Sequence, residues 1–235
     1  MVALLTSAIG FMPFFLYSCT GEILTEKSGH LNLGIPGIIC AGGAGSCLGV
    51  TLYMKALNGV APNYVLLILI SVICAFILAS LLGGIYAFLT VSFKCNQNIS
   101  GLALTTFGTG LTQFIMKNFV DISLISTAST LFKYKLPFAG DLGWFGQIFL
   151  SHGILIYLAI AIAVVTAYVL KRTKVGLHLR AIGENPAAAD AVGIKVDRYK
   201  YLAILIGSGI AGLSGCFFIL DYIQGGYDSY YIMES

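Results

Sequence analysis

Six stretches of this chain contain no Asp, Glu, Lys or Arg: 1–21, 28–54, 56–93, 95–116, 153–170 and 201–220. In hydrocarbon a backbone has to satisfy its own polar groups, and a helix needs about 20 mostly apolar residues to cross. The windows therefore predict an all-α, polytopic transmembrane helical bundle of about six spans. These are expected near 3–20, 34–53, 65–92, 100–118, 153–170 and 201–220, with 1–235 forming a single transmembrane domain. The 56–93 window is long for one helix, which implies a tilted span or a span with a short interfacial piece. A soluble globule is excluded by the shortage of polar surface. Charged residues make up 10% of the chain and hydrophobic ones 58%, where soluble domains carry about a quarter charged residues. The first 20 residues lack a basic start and a small-residue cleavage site, so they read as a retained span and not as a signal peptide.

Orientation follows from the basic residues. Lys171, Arg172, Lys174, Arg180, Lys195, Arg198 and Lys200 crowd one polar stretch, 171–200, out of thirteen Lys and Arg in all. Loops rich in Lys and Arg stay on the cytoplasmic side. Counting outward, 21–33 and 93–99 share that side, whereas 54–64, 119–152, 221–235 and the N-terminus face the other. The net charge of +3 is thus a topology signal, and no interleaving of basic and aromatic residues suggests nucleic acid. The six cysteines, Cys19, Cys40, Cys47, Cys74, Cys95 and Cys216, form no C-x-x-C pair and read as small packing residues. His30, His152 and His178 are scattered. No metal set, catalytic triad or phosphate loop is visible, so no metal and no bound cofactor are expected, and ATP hydrolysis is not expected of this chain.

Within 171–200 lies G-E-N-P-A-A-A-D-A-V-G, Gly183–Gly193. Asn185 is a good N-cap and Pro186 suits the first helical position. The alanines and Asp190 continue the helix, and Gly193 can take the left-handed conformation that ends it. About two turns of nearly bare helix between two spans can be approached closely by a soluble partner. They can equally be an ordinary surface helix.

The run A-A-A-D-A-V-G resembles the E-A-A-x-x-x-G coupling loop of ABC importer permeases. Ala188, Ala189 and Gly193 match, and Ala187 stands where that loop has Glu. The longer string LHLRAIGENPAAADAVGIKVDRYKYLA is similar to one branch, the inner-membrane permeases for branched-chain amino acids, ribose-type sugars and nucleosides. GEILTEKSGHLNLGIPGI (Gly21–Ile38) resembles the E-[KR]-x-G-x-x-N-[IL]-G-x-E-G signature of the nucleoside and simple-sugar permeases, with Pro36 in place of the second Glu. NQNISGLALTTFGTGLTQF (Asn96–Phe114) is similar as well. The family continues for several spans beyond this point, so the resemblance implies a C-terminally truncated chain.

The resemblance implies a permease in the bacterial cell membrane that imports a neutral polar solute, a nucleoside first, with a simple sugar or branched-chain amino acid as alternatives. An ATP-independent secondary transporter or channel is the competing class, disfavoured by the scarcity of charges within the spans. The implied partners are a cytoplasmic ABC ATPase, which binds the ATP, a second permease chain, identical or paralogous, an extracytoplasmic solute-binding lipoprotein, and membrane lipid. Gly183, Glu184, Asn185, Pro186, Ala188, Ala189 and Gly193 would couple to the ATPase. Gly/Pro-rich spans mark substrate paths in transporters, and two occur here, around Gly34–Gly49 and Ser100–Gly110. Asn32, Pro36, Asn98, Thr105 and Thr106 are the candidate path residues, because uncharged polar groups suit a hydroxyl-rich solute. Gly45 and Gly49 read as packing positions, and Gly207, Ala211 and Gly215, with Ser208 and Gly212, as a contact stripe for another helix.

Overall fold

A computed structural model describes residues 2–57, 60–132 and 152–223. Nine α-helices make up the described residues. They are α1 (Val2–Glu26), α2 (Ile35–Ala56), α3 (Tyr64–Ala87), α4 (Gln97–Asn118), α5 (Ile122–Phe132), α6 (Ile154–Arg172), α7 (Lys174–Glu184), α8 (Pro186–Ala191) and α9 (Val196–Phe217). Helices α3 and α9 each end in a wide π turn, Phe88–Ser92 and Phe218–Tyr222. No strand occurs among the described residues.

Five helices are long and apolar enough to cross a membrane: α1, α2, α3, α6 and α9, the third and fifth counted with their π turns. Each coincides with an expected span. The long 56–93 window resolves into one continuous 29-residue segment, Tyr64–Ser92. The sixth expected span, 100–118, is a helix of 22 residues, α4, but it does not reach the apolar character of the other five. Asn98, Thr105, Thr106, Thr109 and Gln113 fall within about a 100° arc of it at 100° per residue, so one side of α4 is polar. The sequence reading also leaves out α5 and α7. Helix α5, of 11 residues, is too short to span.

Helix α9 is the centre of the bundle. Gly207 meets α1 at Gly21 and Thr25, Ser208 meets α3 at Gly83, Gly212 meets both Gly42 of α2 and Ala79 of α3, and Gly215 meets α2 at Ile39 and Gly43. The small-residue stripe therefore serves three helices, where the sequence pattern suggested one. Without hydrophobic pressure between helices in lipid, close backbone approach supplies the packing energy. Two serines at this seam bond to carbonyls: Ser214 Oγ donates to Phe14 O at 2.7 Å and Ser80 Oγ to Leu205 O at 3.0 Å. Gly45 and Gly49 pack on Cys74 of α3, as expected. Cys40, Cys47 and Cys216 are buried cysteines.

The described loops meet one another at two ends of the bundle. At one end, Gly183 packs on Lys27 and Gly29, Gln97 bonds Leu31, and Ser92 bonds Tyr201. At the other, Asp121 N–H donates to Thr51 Oγ1, Asn63 N–H donates to Tyr53 Oη, and Gly153 abuts Phe132 and Asp221.

Candidate functional site

The 171–200 stretch is built as two short helices folded back against the bundle. Thr173 ends α6 and starts α7: its hydroxyl donates to Val169 O at 2.7 Å and accepts from Gly176 N–H at 3.3 Å. Gly176 lies against the carbonyls of Val169 and Leu170, which lets α7 turn sharply under α6. Leu179 and Ile182 are buried along one face of α7, and Leu179 packs with Leu24, Leu170, Ala203 and Tyr199. His178 Nδ1 and Tyr199 Oη lie 2.8 Å apart, tying α7 to α9.

Helix α8 follows with the expected caps. Asn185 Oδ1 accepts from Ala188 N–H at 3.1 Å, and Pro186 occupies the first turn. Gly193 has φ +83°, with Gly193 N–H on Asp190 O and Ile194 N–H on Ala189 O. Ala189 faces inward, whereas Glu184, Asn185, Pro186, Ala187 and Ala188 are exposed. Beside α8 a recess of about 600 Å³ is walled by Pro186, Ala187, Asp190, Lys195, Val196, Asp197, Arg198 and Lys200. Its charges are mixed, which suits a partner surface better than a small ion.

Gly183 connects this unit to the rest. A Cβ there would stand 2.6 Å from Lys27 O and 3.4 Å from Gly29 N, so only glycine lets α7 rest on the turn after α1. That turn, with Gly29 at φ +85°, opens into the segment 29–34. Its main-chain groups are held largely by side chains of three helices. Leu31 N–H donates to Gln97 Oε1 at 3.0 Å, Asn32 N–H to Glu22 Oε1 at 3.0 Å, Tyr86 Oη to Leu31 O at 2.6 Å, and Thr105 Oγ1 to Leu33 O at 3.0 Å. Asn32 Oδ1 accepts from Gly34 N–H at 2.9 Å, turning the chain into α2.

Of the expected path residues, Asn32 is buried in this segment and Thr105 is half-buried against it. Pro36, in the first turn of α2, is exposed. Asn98 and Thr106 are exposed on the polar side of α4, apart from Asn32. The Thr105 and Thr106 hydroxyls donate to carbonyls, Leu33 O and Leu102 O, which leaves acceptor lone pairs free to face outward. The glycine-rich stretches stay helical: Gly37 and Gly108 bring α2 and α4 into backbone contact.

Sequence reasoning missed Glu22, Tyr86 and Gln97. Glu22 reads as an interfacial charge, yet its carboxylate turns inward. Glu22 Oε2, His30 Nδ1 and Asn32 Nδ2 are buried without a hydrogen-bond partner among the described residues. Burial, with the Lys200 ammonium nearby, pulls the His30 imidazole down to about 4, so it is neutral at physiological pH. No cluster of three metal-ligating side chains exists among the described residues.

Comparisons with known proteins agree with this architecture. The family described as branched-chain amino acid transport system / permease component matches residues 3–231. TsgC13 of Haloferax volcanii, a candidate glucose ABC transporter permease protein, is 33% identical over 221 residues, covering 94% of this chain and 64% of TsgC13. The guanosine ABC transporter permease protein NupQ of Bacillus subtilis is 31% identical, covering 85% of this chain and 61% of NupQ. The nucleoside ABC transporter permease protein NupC of Lactococcus lactis is 26% identical, covering 86% of this chain and 62% of NupC. The chain thus spans a little under two thirds of the length of these relatives. No solved structure matches it. With a match running almost end to end, five apolar spans and a capped short helix between the last two, the chain belongs to the branched-chain amino acid transport system permease component family.

Proposed function

We propose that this chain is the membrane-spanning permease of an ATP-driven importer in a bacterial cell membrane, carrying a neutral polar solute of the nucleoside or simple-sugar class. The observation that carries this reading is the contact of Gly183 with the 27–29 turn. It joins an exposed helix that a soluble motor can grip to a segment tethered to α1, α3 and α4. A cytoplasmic ATPase engages Gly183, Glu184, Asn185, Pro186, Ala188, Ala189 and Gly193. Displacement of α7 and α8 then moves the 29–34 segment and, through Gln97 and Thr105, helix α4. The polar side of α4, with Asn98, Thr105 and Thr106, lines the path, and Asn32 and Pro36 sit at its inner end. A second permease chain completes the pore, and an extracytoplasmic lipoprotein delivers the solute. The chain itself binds no ATP and no cofactor.

The test is purification from the native membrane in mild detergent, with every co-purifying chain identified by mass spectrometry. Recovery of an ATPase and a solute-binding lipoprotein is the expected result. A chain that purifies alone, with uptake in vesicles indifferent to ATP, would sink the proposal. A second reading, a proton-coupled carrier, has one observation in its favour, the inward-facing Glu22 carboxylate. Uptake abolished by a protonophore but not by ATP depletion would select it. Under the importer reading, Gly193→Val strains a left-handed position by about 1–2 kcal/mol. It lowers uptake several-fold while the purified protein keeps its melting temperature within a few degrees.

A further inference from the structure

A long apolar groove runs along the side of the bundle between α3, α6 and α9, closed at one end by α7. Its volume is about 730 Å³, and Thr166 and Tyr199 supply the only side-chain hydroxyls among its lining residues. Ile73, Ile77, Val165, Leu202 and Ile206 line it and are each more than two-fifths exposed. From Tyr199 to Leu213 on α9 the groove extends about 21 Å at 1.5 Å per residue. That exceeds one leaflet's share, about 15 Å, of a hydrocarbon core about 30 Å thick.

The end closed by α7 is basic. Arg172 continues the lining face of α6 one turn beyond Val169, Lys174 directly precedes the lining residue Val175, and Lys195 lies one turn before the lining residue Tyr199. Arg172, Lys174 and Lys195 form no ion pair among the described residues, and Arg172, Lys174 and Lys195 are exposed. Tyr199, which lines the groove, is hydrogen-bonded to His178 of α7.

We propose that this groove is a binding site for one anionic phospholipid. Its acyl chain lies along α9 between α3 and α6, and its phosphate sits among Arg172, Lys174 and Lys195. An apolar trough ending in unpaired cations matches an acyl chain ending in an anion. A zwitterionic lipid of the same chain length would fill the trough and leave the cations unmatched. Each Lys or Arg near an anionic lipid surface adds roughly fivefold to the affinity. Because the headgroup touches the α6–α7 turn, a bound lipid also fixes the base from which α8 projects.

The test is fluorescence quenching by lipids with brominated acyl chains. The chain's single tryptophan, Trp144, is replaced by Phe, and a reporter is introduced as Ile206→Trp inside the groove or Leu81→Trp on the exposed face of α3 outside it. Purified protein is placed in phosphatidylcholine vesicles containing brominated phosphatidylglycerol or brominated phosphatidylcholine. Brominated phosphatidylglycerol is expected to quench at position 206 at several-fold lower mole fraction than brominated phosphatidylcholine. The preference disappears when Arg172, Lys174 and Lys195 are changed to Gln, and it is absent at position 81. Equal quenching by the two lipids at position 206 means ordinary bulk contact and overturns the proposal. Quenching by neither means that protein fills the groove, a further segment or a second copy, and overturns it too. Native mass spectrometry of the unaltered protein taken from mixed phosphatidylglycerol and phosphatidylcholine vesicles needs no substitution. A retained phosphatidylglycerol adduct is expected, and a bare chain or a phosphatidylcholine adduct counts against the site.

Discussion

Helices α8 and α9 are both rich in small residues, and they use them in opposite ways. In α9, Gly207, Ser208, Ala211, Gly212 and Gly215 are buried, and their smallness is consumed by three neighbouring helices. In α8, Ala187 and Ala188 are exposed, and nothing among the described residues takes up the space they leave. A stripe of small residues therefore has no single meaning. Burial decides whether the contact is already made within the chain or kept for another molecule.

The largest effect should come from filling the first kind of space. A side chain at Gly42 would collide with the backbone of Gly212, which cannot give way as a flexible side chain does. Gly42→Leu is expected to cost about 3 kcal/mol or more, seen as loss of the monodisperse peak in detergent size-exclusion chromatography. If the variant purified and melted like the parent, the central role of α9 would be wrong. Next is Gly183, which belongs to neither class because its contact is within the chain but joins two separately built units. Gly183→Val should cost about 1–2 kcal/mol of stability and yet remove most solute uptake. Equal losses in the two readouts would make Gly183 a packing residue only.

His30 gives a pH signature to the same joint. The unfolded side chain takes up a proton near its ordinary value of about 6.5, whereas the folded one does so only at about 4. Between those values the unfolded state binds more protons, so stability falls as pH is lowered through that window, by at most about 1.4 kcal/mol per pH unit. Above it neither state is protonated and the contribution is constant. Melting temperature recorded from pH 7 to pH 4 should drop less steeply in His30→Leu than in the parent. The smallest stability effect belongs to the exposed helix. Ala188→Leu should change stability by less than about 0.5 kcal/mol while weakening the proposed ATPase contact, read as reduced co-purification. A large melting shift there would erase the contrast with α9.

Much of this was legible from the residues alone, because the determinants are local. Charge-free windows report length and apolarity directly, and they located five spans and the sixth helix. Asn185, Pro186 and Gly193 fixed both ends of α8, since caps depend on neighbours within four residues. The 29–34 segment was opaque for the opposite reason. Glu22 bonds the amide of Asn32, Tyr86 the carbonyl of Leu31, and Gln97 the amide of the same Leu31. Those partners come from three helices, and nothing near Tyr86 or Gln97 in the chain points to residue 31. Helix α7 went unread because its apolar face is short and interrupted by basic residues. The depth of α9 was also hidden, because Gly212 faces two helices at once.

The tethering of residues 31–33 has a consequence for observing this protein at work. The Leu31 and Asn32 amides and the Leu31 and Leu33 carbonyls are held by side chains on α1, α3 and α4 and not by a ladder of their own. They have no independent means of staying protected from solvent. Hydrogen exchange at the Leu31 and Asn32 amides should therefore act as a gauge of helix spacing, slow when α1 and α4 are in register with the segment and fast once either shifts. Two amide signals would report the stance of this whole end of the bundle, without a probe attached to any helix.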